Sequence, residues 1–244
     1  MNPKEQVRTA ELTFRRKRIL ATLAAVALLL GSLWFAEAFG PKRTPAFSAA
    51  DRGILVIDPG HGGIDGGAIA YNGVKESELN LSIALKMQQL ASFYGIETRM
   101  TRQDESPRTE LDSYSEREEL SYRADLAEET ENSVLISIHQ NFFPTSQPSG
   151  AQVLYGSGTE SHRLGELTHR NLVEALQPTN RRVAAPAPAE LFLTSHVSCP
   201  VILVECGFLS NLSDLQLLSD PRYQSALAAV LISSFLQYTN APNL

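Results

Sequence analysis

Two histidines and two glutamates stand where apolar runs of this 244-residue chain give way to polar or glycine-rich sequence. His61 lies in DPGHGG directly after the run ILVI, His139 ends the run VLISI, and Glu205 ends the run VILV. Glu76 opens a long amphipathic segment. Such residues can supply three ligands to a zinc ion, leave one coordination position open, and provide a general acid or base. The residue types therefore predict a hydrolytic zinc site, if the fold brings the four together.

The segments around these residues predict an α/β fold. Short β-branched runs bounded by glycine and proline are typical of buried parallel strands. The predicted strands are 54–57, 96–101, 134–138, 151–155, a short one at 191–194, and 201–205, and the predicted helices are 76–94, 116–131, 162–176 and 223–238. This alternation predicts a single domain with a mainly parallel, twisted sheet flanked by helices. Because ligands bind at the carboxyl ends of such strands, we expect the polar residues at one edge.

Each of the four residues also has a purely structural interpretation. His61 can be a turn histidine, and His139 can be a hydrogen-bonded core residue. Glu76 stands at a helix start, where a carboxylate is favourable for the helix dipole without any metal. Glu205 is harder to explain in this way, because an ionisable acid at the end of an apolar strand is costly unless it is paired, bound to metal or placed in a cleft.

Other polar residues near these segments have two interpretations each. Asp58 can orient a histidine from outside the ligand set or cap a turn. Asn141 can bind substrate or cap a loop. Arg102 and Arg117 can each meet a peptide carboxylate, although a solvated surface ion pair is the interpretation that we favour for both.

The N-terminus predicts a membrane anchor. Residues 1–18 hold six basic and two acidic side chains, and no charge follows until Glu37. This pattern predicts a cytoplasmic basic segment at 1–18, a transmembrane helix at 19–39, a linker at 40–52 and an extracytoplasmic domain at 53–240. A cleaved signal peptide is the alternative, since Ala36-Glu37-Ala38 has the form of a processing site.

Composition excludes several other classes. The net charge of −6 argues against a nucleic-acid partner, because binding phosphates requires a basic face. No Gly-x-Ser-x-Gly elbow is present for a serine hydrolase.

We expect Cys206 to be a small core residue rather than part of a disulfide with Cys199. His162 and His169 are expected on a solvent-exposed helix face.

The chain resembles the zinc-dependent N-acetylmuramoyl-L-alanine amidases called type-3 amidases. The segments IDPGHGG, KESELNLSIA, SIHQN and PVILVECGFLSN resemble four family motifs in the family's order, and the resemblance covers about residues 53–240. It implies that His61, Glu76 and His139 bind one zinc ion and that Glu205 is the catalytic base. It also implies hydrolysis of the bond between N-acetylmuramic acid and the first residue of the stem peptide in peptidoglycan.

Some segments depart from the family pattern. Arg123-Ala124-Asp125-Leu126 is only a loose match to a segment before the third strand, and Gln140, Phe142 and Phe143 are bulkier than the residues usual around the histidine. These departures concern the substrate cleft rather than the metal site.

Within the family, the chain is most similar to the membrane-anchored, germination-specific amidases of spore formers. This likeness implies spore cortex as substrate, with the cleavage as the first step toward muramic-δ-lactam. The alternatives are a general amidase of the vegetative wall and a non-catalytic peptidoglycan-binding module of the same fold. An anchored enzyme of this kind is also compatible with an accessory activating protein at the membrane.

Overall fold

A six-stranded sheet organises the part of the chain that the computed structural model describes, which is residues 53–107 and 114–240. The strands are β1 (Ile54–Pro59), β2 (Thr98–Met100), β3 (Ser133–Asn141), β4 (Gln152–Tyr155), β5 (Ala185–Pro186) and β6 (Val201–Phe208). The helices are α1 (Glu76–Phe93), α2 (Glu116–Glu128), α3 (Thr159–Leu176), α4 (Phe192–His196), α5 (Leu212–Leu218) and α6 (Pro221–Asn240).

The strand order across the sheet is β2-β1-β3-β6-β4-β5. Strands β2, β1, β3 and β6 are parallel, whereas β4 pairs antiparallel with β6, and β5 is parallel to β4. The predicted α/β domain with a helix-flanked sheet is confirmed, but the sheet is mixed at one end. The parallel part brings the carboxyl ends of β1, β3 and β6 side by side.

Alternation along the central strands divides the core into two layers. Leu55 and Ile57 of β1 pack in one apolar cluster with residues of α1, α3 and α6, while Val56 packs in a second cluster with residues of α2 and α4. Successive side chains of a strand point to opposite faces, so helices on both faces leave the central strands almost wholly buried. This burial explains their continuous apolar sequences.

The predicted strand at 191–194 is wrong, because Phe192–His196 forms the short helix α4. The hydroxyls of Thr194 and Ser195 both donate to the carbonyl of Leu191, which closes a local turn. Both sides of β6 are already paired, with β3 and with β4. Tertiary context therefore overrides the apolar pattern of this segment.

Helix α5 was not predicted from the sequence. It begins after Asn211, whose side-chain oxygen accepts from the backbone N–H groups of Ser213 and Asp214 at 3.0 and 3.2 Å. An asparagine cap of this kind is a recognisable helix start. The segment is only seven residues long, too short for its periodicity to be clear.

The exposed position expected for His169 is also wrong. His169 is buried, and its Nε2 lies 2.7 Å from the carbonyl oxygen of Arg182, whereas His162 is exposed as predicted.

Cys206 is fully buried, and both Cys199 and Cys206 are free thiols, so the two cysteine predictions are confirmed.

The predicted anchor at 19–39, its cleavage site at Ala38 and the linker at 40–52 all lie outside the described residues. Within residues 53–107 and 114–240, none of the helices combines the length and the apolar character needed to cross a bilayer.

Candidate metal centre and active-site cleft

Three of the predicted site residues meet at the carboxyl edge of the sheet. His61 lies in the loop after β1, His139 lies on β3, and Glu76 is the first residue of α1. One potential ligand atom from each lies within 4.8 Å of the other two. Oε1 of Glu76 is 3.3 Å from Nε2 of His61 and 3.0 Å from Nδ1 of His139. The structure therefore brings together residues that are far apart in the sequence.

Glu76 is held in place by backbone and amide groups. Its Oε1 accepts from the backbone N–H of Gln140 at 3.0 Å, and its Oε2 accepts from that of Ala68 at 3.0 Å. The side chain of Asn80 donates to Oε1 at 3.5 Å and to the carbonyl of Gly60 at 3.1 Å. Gln140 in turn donates from its side chain to Asn80 at 3.1 Å. This buried amide pair ties Glu76 to the segments that carry both histidines.

The charges of the three residues favour a cation between them. Burial raises the pKa of Glu76, but the hydrogen bonds and charges of His139 and His61 outweigh burial and hold the pKa well below its usual range. Burial lowers the pKa of His61, but Asp65 and Glu76 outweigh it and raise the pKa to about 10. A metal ion that binds here would take the place of the proton on His61, because metal-bound imidazole is neutral.

Asp65 orients His61, and sequence reasoning missed it. Its Oδ2 lies 2.6 Å from Nδ1 of His61, on the ring nitrogen opposite the one that faces Glu76. Its Oδ1 accepts from the backbone N–H of Gly67 at 2.9 Å. A carboxylate at this position fixes the tautomer and orientation of a ligating imidazole. The signal available in the sequence was an acid four residues after the histidine in the same glycine-rich turn.

Two glycines make room for the ligands. A Cβ atom on Gly60 would collide with the imidazole of His139. Gly67 has a φ of +65°, and a Cβ atom there would lie 2.7 Å from the ring of His61 and 2.8 Å from Oε2 of Glu76. These positions therefore require glycine for close approach as well as for backbone geometry.

Asp58 makes no direct hydrogen bond to a ligand histidine. It is fully buried and accepts from Nη1 of Arg123 at 2.8 Å, the hydroxyl of Thr101 at 2.6 Å and the hydroxyl of Ser137 at 2.5 Å. Burial raises its pKa, but Arg123 and the two hydroxyls outweigh burial and keep the pKa below its ordinary value. Asp58 is neither a turn cap nor a hydrogen-bond partner of a ligand histidine, and it instead anchors an arginine behind the site.

Arg123 is the second residue that sequence reasoning missed. Besides its ion pair with Asp58, it donates to the carbonyl oxygens of Pro59 at 3.0 Å and His61 at 2.7 Å. It belongs to the segment that matches the family pattern only loosely, and its partners lie more than 60 residues away along the chain. The Asp58–Arg123 pair therefore holds the backbone of the loop that carries His61.

Arg102 also supports the loop that carries His61. Its Nε donates to the carbonyl of Pro59 at 2.9 Å, and its Nη2 donates to the carbonyls of Gly60 at 3.0 Å and Ser77 at 2.9 Å. Its Nη1 pairs with Glu105 at 2.9 Å and with the carbonyl of Asp104 at 3.1 Å. The predicted ion pair is therefore present, with Glu105, but the Arg102 side chain is buried rather than solvated. Protein groups occupy all its donors, which leaves none for a substrate.

The other two residues considered for substrate binding differ in position. Asn141 lines the cleft, and its backbone carbonyl accepts from the N–H of Leu209 at 2.8 Å. A contact between its side chain and substrate stays a prediction. Arg117 is exposed on α2 and is not among the residues that line the cleft.

Glu205 lies beside the three potential ligands but contacts no hydrogen-bond donor through Oε2. It pairs in register with His139 across β3 and β6, and its Oε2 is shielded from water without a partner among the described residues. Burial raises the pKa of Glu205 to about 7; the charges of His139 and His61 act against this rise, and the charge of Glu76 adds to it. A carboxyl group with this pKa can accept or donate a proton near neutral pH.

The four residues share one cleft of about 370 Å³. Segment 114–120 at the start of α2 and segment 190–194 at the start of α4 form its walls. A larger cavity of about 540 Å³ around Gln177, Asn180 and Arg182 contains none of the four. Its amides and its Arg182 guanidinium are already bonded to protein groups, so it offers fewer free donors and acceptors.

The donor set fits a zinc ion. Two imidazoles and a carboxylate are a known catalytic zinc ligand set, and such sites keep one position open for water or substrate. Glu205 lines the same cleft, as a general base must. An α/β sheet that presents this set at its carboxyl edge has the residues that a metal-dependent hydrolase requires.

The comparison with known proteins identifies the family. Residues 55–235 match the family model described as N-acetylmuramoyl-L-alanine amidase, and the chain belongs to this family of peptidoglycan amidases. It is 33% identical over 190 residues to the germination-specific N-acetylmuramoyl-L-alanine amidase of Bacillus subtilis, covering 76% of this chain and 79% of that protein.

Two solved structures have the same fold. The CwlD amidase of Clostridioides difficile, in complex with the GerS lipoprotein, is 30% identical with a TM-score of 0.71, over 76% of this chain and 98% of that one. An N-acetylmuramoyl-L-alanine amidase from Clostridium difficile 630 is 27% identical with a TM-score of 0.69, over 79% of this chain and 100% of that one.

Proposed function

We propose that this amidase is a zinc enzyme that acts on spore cortex from the outer face of a membrane. It would hydrolyse the amide bond between the lactyl carbonyl of N-acetylmuramic acid and the L-alanine of the stem peptide. The single observation that carries the proposal is the convergence of His61, Glu76 and His139 around one point, with Glu205 in the same cleft.

The roles of the residues follow from their positions. His61, Glu76 and His139 would hold the zinc ion, which when bound acidifies water and polarises a carbonyl group. Glu205 would accept a proton from the attacking water and return it to the alanine nitrogen as the C–N bond breaks. The products are a free lactyl carboxylate and a peptide with a free amino terminus. Asp65 would keep Nε2 of His61 directed at the ion.

Release of free stem peptides from purified peptidoglycan tests the activity. The full chain should release them with zinc, lose this ability in a chelator and regain it when zinc is added back. Metal analysis of the active protein should give one zinc per chain. Binding to peptidoglycan without release of peptides would instead support a non-catalytic module.

The cortex role is supported by the likeness to the germination-specific amidase of Bacillus subtilis. Mass analysis of digested spore glycan is the test in the parent organism. Muramic-δ-lactam in parent spores that disappears in a deletion strain supports the cortex role. Unchanged lactam, together with altered vegetative wall turnover, would support the general wall amidase.

A position on the extracytoplasmic membrane face is supported by the basic and uncharged segments at 1–39. An accessory protein at the membrane is supported by the Clostridioides difficile structure, in which CwlD is in complex with a lipoprotein. Cell fractionation followed by protease protection tests the position. Retention of the full-length chain in the membrane fraction would exclude cleavage after Ala38.

A further inference from the structure

An apolar groove extends the active-site cleft on one side. Ile69, Tyr71, Phe142 and Phe143 expose 58%, 72%, 49% and 49% of their surfaces and line one groove of about 400 Å³ with Leu209. Phe142 also lines the cleft that holds the metal ligands, so the groove and the cleft adjoin at this residue. Exposed apolar side chains concentrated in this way mark a binding surface, whereas isolated ones do not.

The groove is uncharged, and its loop is held by hydrogen bonds. No charged residue is among the described residues that line it, and Thr145, Ser146 and Ser210 add hydroxyl groups to its rim. The backbone N–H of Phe143 donates to the hydroxyl of Ser210 at 3.1 Å, and the side chain of Asn211 donates to the carbonyl of Ser146 at 2.7 Å. The groove therefore combines apolar faces with neutral hydrogen-bonding groups.

The cleft has different chemistry from the groove. Glu116, Glu119 and Glu190 are among the residues that line the cleft. The cleft therefore carries acidic side chains, whereas the groove that adjoins it at Phe142 is aromatic and neutral. A substrate with a neutral, partly apolar part would place that part in the groove.

Peptidoglycan is a substrate of this kind. Its glycan strand consists of uncharged N-acetylated sugars, whose pyranose C–H faces are apolar and whose rims carry hydroxyl and amide groups. Its stem peptide carries ionised groups. The C–H face of a sugar packs well on an aromatic face, which carries negative charge density. An anionic membrane surface would instead require basic residues, which the groove lacks.

We infer that the groove formed by Ile69, Tyr71, Phe142 and Phe143 binds the sugar next to the muramic acid whose amide bond is cleaved. This inference builds on the proposed function, since it takes the scissile bond to lie at the ligand cluster. It assigns to the two phenylalanines, which are bulkier than the residues usual in the family, the recognition of polymeric glycan.

The double variant Tyr71→Ser, Phe143→Ser tests the inference, because both side chains are exposed and neither lines the catalytic cleft. Phe93→Ser is the matched control, since Phe93 is 82% exposed at the far end of α1, about 25 Å along the helix from Glu76. Each full-length variant is assayed on polymeric peptidoglycan strands and on a single N-acetylmuramoyl-peptide. Binding of soluble, peptide-free glycan strands is measured separately by calorimetry.

We expect the double variant to raise KM on polymeric strands about tenfold with little change in kcat, and to weaken the binding of peptide-free strands by a similar factor. The single-sugar substrate, which ends before the groove, should show no such rise. Phe93→Ser should match the wild type throughout.

Three results would overturn the inference. One is unchanged binding of peptide-free strands by the double variant. Another is an equal loss on both substrates, which would mean that the groove supports the catalytic loops. The third is weaker binding to phosphatidylglycerol vesicles with unchanged glycan binding. If the wild type cleaves neither substrate, the proposed function fails, and the binding of peptide-free strands still decides whether the groove recognises glycan.

Discussion

Asp58 and Glu205 are two carboxylates at the same end of the sheet, on strands separated only by β3. Asp58 is fully buried and Glu205 has one buried oxygen, yet their environments differ. Asp58 accepts from Arg123 and two hydroxyls, and its pKa lies below the ordinary value. Glu205 has an oxygen without a partner, and burial raises its pKa to about 7. The comparison separates a carboxylate that supports the fold from one that can exchange a proton in catalysis.

The largest effect expected from this difference is on catalysis. Glu205→Gln should lower kcat by about 10²–10⁴, because it removes a general acid and base while keeping the side-chain shape. The free energy of unfolding should stay the same or rise slightly, since the lost carboxylate had no partner on Oε2. Rates of peptide release and urea unfolding curves measure the two effects. A stability loss as large as that of an Asp58 variant would contradict the comparison.

Asp58→Asn, unlike Glu205→Gln, should lower the free energy of unfolding. It removes the charged partner of a buried arginine, which costs about 3–5 kcal/mol in the free energy of unfolding. Asp220→Asn is the control, since Asp220 forms a surface ion pair with Arg222 and accepts from its backbone N–H, a contact that asparagine can keep, so stability should change little. Urea unfolding at neutral pH measures both variants. Equal stabilities of Asp58→Asn and Asp220→Asn would show that the buried pair is not structural.

A smaller effect is expected for the residue that orients a ligand. Asp65→Asn should weaken zinc affinity about 10- to 100-fold, because His61 loses the carboxylate that fixes its tautomer. Competition with a chromogenic chelator measures the affinity, and circular dichroism checks the fold. Asp104→Asn is a suitable control, since that acid accepts only from a local backbone N–H. Unchanged zinc affinity in Asp65→Asn would remove Asp65 from the metal site.

The pH dependence sharpens the comparison further. Because the pKa of folded Asp58 is depressed below 3.8, its stabilisation is fully present above about pH 4, the unfolded value. It is lost as the pH falls through the folded pKa. The stability difference between wild type and Asp58→Asn should therefore be constant from pH 5 to 7 and shrink below pH 4. Unfolding free energies across this range measure it, and a difference that grows in acid would contradict the assignment.

Much of the fold was predictable because strand and helix patterns are local. The runs that became β1, β3 and β6 were recognised from their β-branched residues and their bounds. The segment 191–194 was predicted as a strand from its apolar residues, but it forms a helix. Those residues do not show that β3 and β4 already occupy both positions beside β6. The direction of β4 was likewise not predictable, since a strand's sequence does not state which way it runs.

In the candidate site, too, local sequence predicted some residues, and others depend on tertiary contacts. His61, Glu76 and His139 were found from residue type and from the resemblance to a family, and the structure brings them together. Asp65 and Arg123 were missed, because their roles depend on contacts rather than on motifs. Arg102 was expected at the surface, whereas its guanidinium is buried among backbone carbonyls of the ligand loop.

The sequence by itself determined the kinds of side chain at the site, their order and the apolar runs that deliver them to one edge of a sheet. Only the tertiary structure decided which carboxylates are paired and which is left without a partner. It also decided that Phe142 lines both the cleft and an exposed groove. The physical reason is that burial, hydrogen bonding and charge pairing arise between segments distant in the chain, and these interactions set the pKa and the availability of each group.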